Sequence, residues 1–214
     1  MMTRHFFYIF VPAILFLSLI FFVRIIQYQP LDQTTETPTE IAVQKTFSIP
    51  IFPEDPIVGL KNASKTIIVF GDFSCENCAH EYDLLKQIMQ EYPNKVKIVW
   101  KGLPIKTVPF NSETAQKHGF CANKQHIFEA WIDAAFAHGE SLDDATLTTL
   151  GSDTGLDTKQ LATCLESKET ADYIQKTKDL AQVLNIQSVP TLFFNNAQIA
   201  SPQTIEEWKT LLSL

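Results

Sequence analysis

Thr66 to Pro93 reads TIIVFGDFSCENCAHEYDLLKQIMQEYP. Its first five residues, TIIVF, form a short apolar run of the kind that fits a buried central strand. After Cys78 the apolar positions change period: Tyr82, Leu85, Met89 and Tyr92 recur at helical spacing until Pro93 ends the pattern. Between the two lies Gly71, Asp72, Phe73, Ser74, Cys75, so the stretch is a strand, a turn bearing a Cys-x-x-Cys pair, and a helix. Lys95 to Trp100 (KVKIVW) then alternates like a half-buried strand, which completes a βαβ unit whose crossover is expected to be right-handed.

Downstream, Ser112 to Leu184 carries mostly helical signals. Ile127, Trp131, Ala134 and Ala135 fall on one face, Gly139 is a stop, Asp157 is a cap candidate, and Tyr173, Lys176, Leu180 and Leu184 recur three to four apart. Thr191 to Phe194 reads as a strand again, Asn195 and Asn196 as a tight turn, and Ala197 to Ala200 as an antiparallel return. Ser201 followed by Pro202 marks a helix start, with Ile205, Trp208, Leu211 and Leu212 as its apolar face. The expected fold class is α/β, with a helical block between the βαβ unit and a final hairpin and helix.

The position of CENC carries the chemistry more than its spacing does. With Cys75 at the N-cap of the helix, unpaired backbone N–H groups and the positive end of the helix dipole stabilise its thiolate, making it the attacking sulfur at neutral pH. Cys78, one turn further on, faces the same side and is placed to resolve a mixed disulfide by attacking Cys75. Cys-x-x-Cys is also half of a tetrahedral zinc site. Cys121 and Cys164 stand singly, however, and no second Cys-x-x-Cys or His-x3-His pattern accompanies the pair, so no metal is assigned.

IIVFGDFSCENCAHEYDLLKQIMQEY, KVKIVW with the following GLPI, the Cys164, Leu165 pair and SVPTLFF together resemble the DsbA-like thiol:disulfide oxidoreductases of the thioredoxin superfamily, over about residues 55–214. The resemblance implies a thioredoxin fold interrupted by an inserted helical domain, near 110–186 within a domain spanning 51–214. It implies a cis Pro190 packed opposite the Cys-x-x-Cys, with the backbone of Val189 pairing with an extended substrate segment. It also implies exchange of disulfides with cysteine-containing proteins, with no cofactor. The expected direction is oxidation, fed by a quinone-linked membrane thiol oxidase. A reductase fed by a membrane reductant carrier shares the same cysteine geometry, and a metal-delivery module without redox turnover is the alternative from another class. Isomerases of the superfamily are dimers with an extra domain that finds no counterpart in this sequence, so a monomer is expected.

Two positions depart from the family pattern. Six residues before Cys75, where members commonly carry a buried acid, stands Val69; Asp72 is the substitute candidate. Glu76, beside Asn77 between the cysteines, disfavours the Cys75 thiolate. The expected potential therefore lies between about −120 mV for DsbA and about −270 mV for thioredoxin, and removing the Glu76 charge is expected to raise it. Cys121 and Cys164, in the helical block, are expected to form a structural disulfide, as in some family members. Closing their 43-residue loop is worth on the order of 4 kcal/mol in the chain-entropy model. Two separate buried thiols, or a relay to Cys75, are the alternatives.

The N-terminus is of another kind. Phe6 to Val23 holds no charge, and residues 6–26 at about 1.5 Å each reach roughly 30 Å, the thickness of a bilayer core. No small-x-small cleavage pattern follows, so residues 6–26 are expected to be a retained transmembrane anchor after a short tail, 1–5. Residues 27–50, rich in Thr, Gln, Glu and Pro, read as a flexible linker. The flanking charges, Arg4 and Arg24, barely decide the orientation, and the family resemblance implies that the domain lies on the extracytoplasmic side of the membrane. Beyond Pro30 there are 15 lysines, no arginine and 24 acids, a formal charge of −9. Phosphate backbones are gripped mainly by Lys and Arg, so nucleic acid is excluded as a partner.

Overall fold

The computed structural model describes residues 17–20, 22, 48–106, 112–139 and 141–214. The chain divides into two compact units, Met1–Thr46 and Phe47–Leu214. In the first, residues 17–20 and 22 are helical, with Leu17, Leu19, Ile20 and Phe22 exposed. The rest of the expected 6–26 anchor, and the 27–50 linker up to residue 47, lie outside the described residues. Among the described residues no helix is long and apolar enough to cross a membrane.

The second unit is built on a five-stranded sheet. Its elements are β1 (Ile57–Val58), β2 (Lys65–Gly71), α1 (Glu76–Glu91), β3 (Val96–Gly102), α2 (Ser112–Lys124), α3 (Phe128–His138), α4 (Asp144–Asp153), α5 (Thr158–Leu165), α6 (Lys168–Val183), β4 (Thr191–Phe194), β5 (Ala197–Ile199) and α7 (Ile205–Leu212). The strand order is β1-β3-β2-β4-β5. Strands β2 and β3 are parallel, with Val69 opposite Trp100, and β4 runs antiparallel to β2, with Leu192 opposite Val69. The Cys-x-x-Cys turn therefore leaves the central strand of the sheet.

The TIIVF run is central because both its faces are covered. Ile67 and Val69 join Ile98, Trp100, Leu192 and the buried side of α1, while Ile68 and Phe70 join Val99, Phe193, Leu180 and Ala181 on the other side. Each such large side chain fully buried contributes about 1.5–3 kcal/mol. Strand β3 departs from the half-buried alternation expected of Lys95 to Trp100, because Val99 is buried as well as Ile98 and Trp100, and it runs on to Gly102. Lys101 is fully buried, and its ammonium is paired with the buried carboxylate of Asp55, which also accepts from Tyr173 Oη at 2.9 Å. An internal partner, absent from the local pattern, is what allows a lysine there.

Among the described residues five helices, α2 to α6, occupy the chain between β3 and β4. Asp157 caps α5, accepting from the N–H groups of Lys159 and Gln160, both at 2.9 Å. Asn195 and Asn196, with φ of 51° and 63°, make the tight turn between β4 and β5. The last helix starts later than Ser201 and Pro202 suggest: Thr204 is its N-cap. The Ser201 hydroxyl is spent elsewhere, donating to the buried carboxylate of Glu81, which also accepts from Trp208 Nε1 at 2.7 Å. Glu81 thereby fastens α7 to α1.

Helix α2 crosses close to the Cys-x-x-Cys turn because Gly119 lets it. A Cβ there would lie 3.0–3.1 Å from the rings of Trp131 and Phe73. Phe73 stacks on Trp100 with centroids 5.1 Å apart and meets Trp131 edge-on at 4.7 Å. This aromatic cluster is the floor beneath Ser74 and Cys75.

Candidate active site

Helix α1 begins at Glu76 because Cys75 is its N-cap, in extended conformation (φ −103°, ψ 115°), with its Sγ accepting the backbone N–H of Cys78 at 3.2 Å. The Cys75 N–H in turn donates to Asp72 O at 3.1 Å. The sulfur thus replaces the serine or aspartate oxygen usual at a helix start, and sits where unpaired N–H groups converge.

The two thiols differ sharply. Cys75 is partly exposed, and its pKa is lowered from the ordinary thiol value to about 7. The largest cause is the hydrogen bond from the Cys78 side chain, aided by the N–H groups of Cys78 and Asn77 and opposed by burial and by the charge of Asp72. Cys78 is 1% exposed, and burial first, then its bond to Cys75, pushes its pKa far up. One sulfur is therefore an accessible nucleophile near neutral pH, and its neighbour is a protonated thiol that hydrogen-bonds to it.

Across the site, the Val189–Pro190 peptide bond is cis, and Cys75 Sγ lies 3.8 Å from Val189 O, to which the thiol donates. Thr191 Oγ1 pins this loop by donating to Ser188 O at 2.7 Å. The structure thus brings Cys75, Cys78, Val189 and Pro190 together at one end of β2 and β4.

Asp72 is fully buried beside them and saturated with donors. Its Oδ1 accepts from Ser74 N at 2.9 Å and Ser74 Oγ at 2.8 Å, and its Oδ2 from Ile105 N at 2.7 Å and Ser112 Oγ at 2.6 Å. It holds the turn, the β3–α2 connection and the start of α2 in one network. Glu76 and Asn77 stand exposed at the start of α1. Between Asp72 and Glu76, the carboxylate counted among the main influences on Cys75 is Asp72's, while solvent screens an exposed charge.

Cys121 of α2 and Cys164 of α5 lie apart from this site and are joined, with 2.05 Å between sulfurs and 5.8 Å between Cα atoms.

Some neighbours of the active cysteines escaped the sequence reading. Lys106 donates from Nζ to Ser74 O at 3.2 Å, placing a cation next to Cys75. Ile105 is 55% exposed at the same rim. Ile105 is the last residue of GLPI and Lys106 follows it, but nothing in that segment alone marks either as a neighbour of Cys75.

The family model described as Thioredoxin matches residues 52–213. The chain belongs to the thioredoxin family. Its curated relatives include Disulfide bond formation protein D of Bacillus subtilis, 25% identical over 172 residues, with 75% of this chain and 76% of that protein covered. They also include the Na(+)/H(+) antiporter NhaA 1 of Salinispora arenicola, 25% identical over 159 residues that make up 74% of this chain. The match spans about a quarter of the antiporter's length, 24%. Among solved structures, a thioredoxin-like oxidoreductase from Silicibacter pomeroyi DSS-3 superposes with a TM-score of 0.68 at 22% identity, covering 76% of this chain and 92% of that one. This thioredoxin-family chain therefore shares the fold expected from CENC and SVPTLFF, with helices inserted before the cis-proline strand.

Proposed function

We propose that this chain is a thiol:disulfide oxidoreductase acting on cysteine-containing proteins, held to the extracytoplasmic face of a membrane by residues 6–26 and working as an oxidase. The observation that carries the reading is the acidified, partly exposed Cys75 sulfur at the start of α1, facing Val189 O across the cis Val189–Pro190 bond.

In the oxidised enzyme a substrate thiolate attacks Cys75 Sγ, the Cys75–Cys78 bond breaks, and Cys78 leaves and takes up a proton in its buried position. A second substrate thiolate attacks the substrate sulfur of the mixed disulfide and expels Cys75 as the stabilised thiolate. Two electrons and the substrate's disulfide bond are exchanged, and the dithiol form results. Val189 offers its backbone to the extended substrate, Pro190 keeps that loop beside Cys75, and Asp72 with the N–H of Asn77 tunes the thiolate's energy, to which the exposed Glu76 adds little. The Cys121–Cys164 bridge staples α2 to α5. A quinone-linked membrane thiol oxidase would restore the disulfide.

One observation favours a reductase instead. A Cys75 pKa of about 7 matches thioredoxin, at about 7, rather than DsbA, at about 3.5. Equilibrium titration of the detergent-solubilised full chain against glutathione decides between the two. A potential above about −270 mV, with oxidation of a reduced dithiol peptide, supports the oxidase; a potential at or below that value assigns the reductase. Loss of exchange with the dithiol peptide in Cys75→Ser is expected in both cases, and its persistence would sink the whole reading.

A further inference from the structure

The Cys121–Cys164 bridge is asymmetric. Cys121, inside α2, is fully buried, whereas Cys164, in the last turn of α5, is partly exposed. A cavity of about 480 Å³ opens on the bridge, lined by both cysteines together with Lys124, Lys159, Ser167 and Glu169. Lys124 is paired with Glu169 at 2.8 Å, while Lys159 makes no ion pair among the described residues, so the cavity mouth carries one uncompensated cation.

Behind the bridge stands the fully buried Thr170 hydroxyl, 3.5 Å from Cys164 Sγ and 3.8 Å from Cys121 Sγ. It donates to Cys164 O at 2.6 Å and neighbours Ser167 Oγ, the N-cap of α6, at 3.0 Å. Turning about its C–O bond, it can offer the same proton to a sulfur that has just become anionic. The first turn of α6 lies at the same place and favours negative charge.

We propose that Cys164 Sγ is a second point of thiol exchange, reached through this cavity by a small anionic thiol of the glutathione class. The incoming thiolate attacks Cys164 Sγ, the Cys121–Cys164 bond breaks, and Cys121 departs as a thiolate that Thr170 hydrogen-bonds before it is protonated. A second small thiol then attacks the small-thiol sulfur of the mixed disulfide and releases Cys164. Two small thiols become one disulfide, and the bridge becomes two cysteine thiols. Attack at Cys121 is closed by its burial, and Lys159 favours a negatively charged attacker over a positively charged one.

The test uses the full chain with Cys75→Ser and Cys78→Ser, so that the bridge alone can exchange. The probes are reduced glutathione, which is anionic, and cysteamine, which is cationic. Acid-trapped peptide mapping is expected to find the first glutathione adduct on Cys164, formed at a rate proportional to thiol concentration and indifferent to low urea. Lys159→Gln should slow glutathione about two- to fivefold, the effect of one exposed charge, without slowing cysteamine. An adduct on Cys121, a bridge that opens only as urea unfolds the chain, no adduct at all, or equal slowing of both thiols by Lys159→Gln would each overturn the proposal.

Discussion

The acidity of Cys75 has two structural sources, and Cys78→Ala separates them. The shift from 9.0 to about 7 is two units, at most about 2.7 kcal/mol once solvent screening is counted. The hydrogen bond from the Cys78 side chain is the largest cause, and the backbone N–H groups of Cys78 and Asn77 contribute less. A hydrogen bond to a charged group is worth about 1.5–3 kcal/mol, or roughly one to two units. Cys78→Ala removes that donor and leaves the backbone N–H of residue 78, so the Cys75 pKa is expected to climb to about 8–9. The pH midpoint of iodoacetamide alkylation, mapped to Cys75 by mass spectrometry, is the clean readout. The rate at a single pH is a poor one. At pH 7 the thiolate fraction falls about fivefold for a one-unit rise, but a more basic thiolate is intrinsically more reactive and regains about threefold of that. The alkylation plateau at high pH should accordingly be faster in the variant. A midpoint still near 7 in Cys78→Ala would refute the reasoning and hand the whole effect to the helix terminus.

The same pKa fixes how the potential depends on pH. Cys75 is depressed in the folded dithiol form, so its stabilisation of that form is present in full above its unfolded value of 9.0 and is lost as pH falls through about 7. The Cys75/Cys78 potential should therefore change by about −59 mV per pH unit below 7, and by about −30 mV above it, where one proton fewer is taken up; a straight line from pH 5 to 9 contradicts the assignment. Asp72→Asn removes a charge that raises both cysteines, so the Cys75 alkylation midpoint should fall below that of the parent. The amide leaves one of the two donor pairs around Asp72 unmatched, costing about 1–3 kcal/mol in urea unfolding; an unmoved midpoint with normal folding would show that the Asp72 charge does not reach the sulfurs. Gly71→Ala places a Cβ in the Trp100 ring and should cost about 1–3 kcal/mol of overpacking by the same measurement. Unaltered stability would mean that the aromatic floor yields freely.

The parts of the fold that sequence reveals are those decided by near neighbours. TIIVF is a strand and CENC starts a helix because period, length and the closing Pro93 are all local. Asp157 caps and Asn195–Asn196 turns for similarly short-range reasons. What stayed hidden depends on partners far along the chain. Lys101 continues the strand past KVKIVW as a buried residue because Asp55, 46 residues earlier, neutralises it. Ser201 is a plausible cap that never caps, because Glu81 takes its hydroxyl from 120 residues away. Strand β1, two residues long, is too short for any periodicity to show.

The active site divides along the same line. Cys75, Cys78 and the Val189–Pro190 loop are marked by compact motifs. The charges around them are not, since proximity in sequence is a poor guide to which charge acts. Glu76 is covalently next to Cys75 but faces solvent, which screens it. Asp72 is three residues away and buried, and it shares the low-dielectric space of the sulfurs. Four donors converge on it. Two of those, Ile105 N and Ser112 Oγ, come from beyond β3, 33 and 40 residues on. With Val69 in the central strand packed into the core instead of offering an acid, the buried charge that opposes the thiolate is displaced onto the turn itself. There it is bonded to the backbone of Ser74 and to the connection bearing Lys106, whose ammonium rests on Ser74 O. The energy of the attacking sulfur is thus tied, through Asp72, to the placement of Ile105 and Ser112.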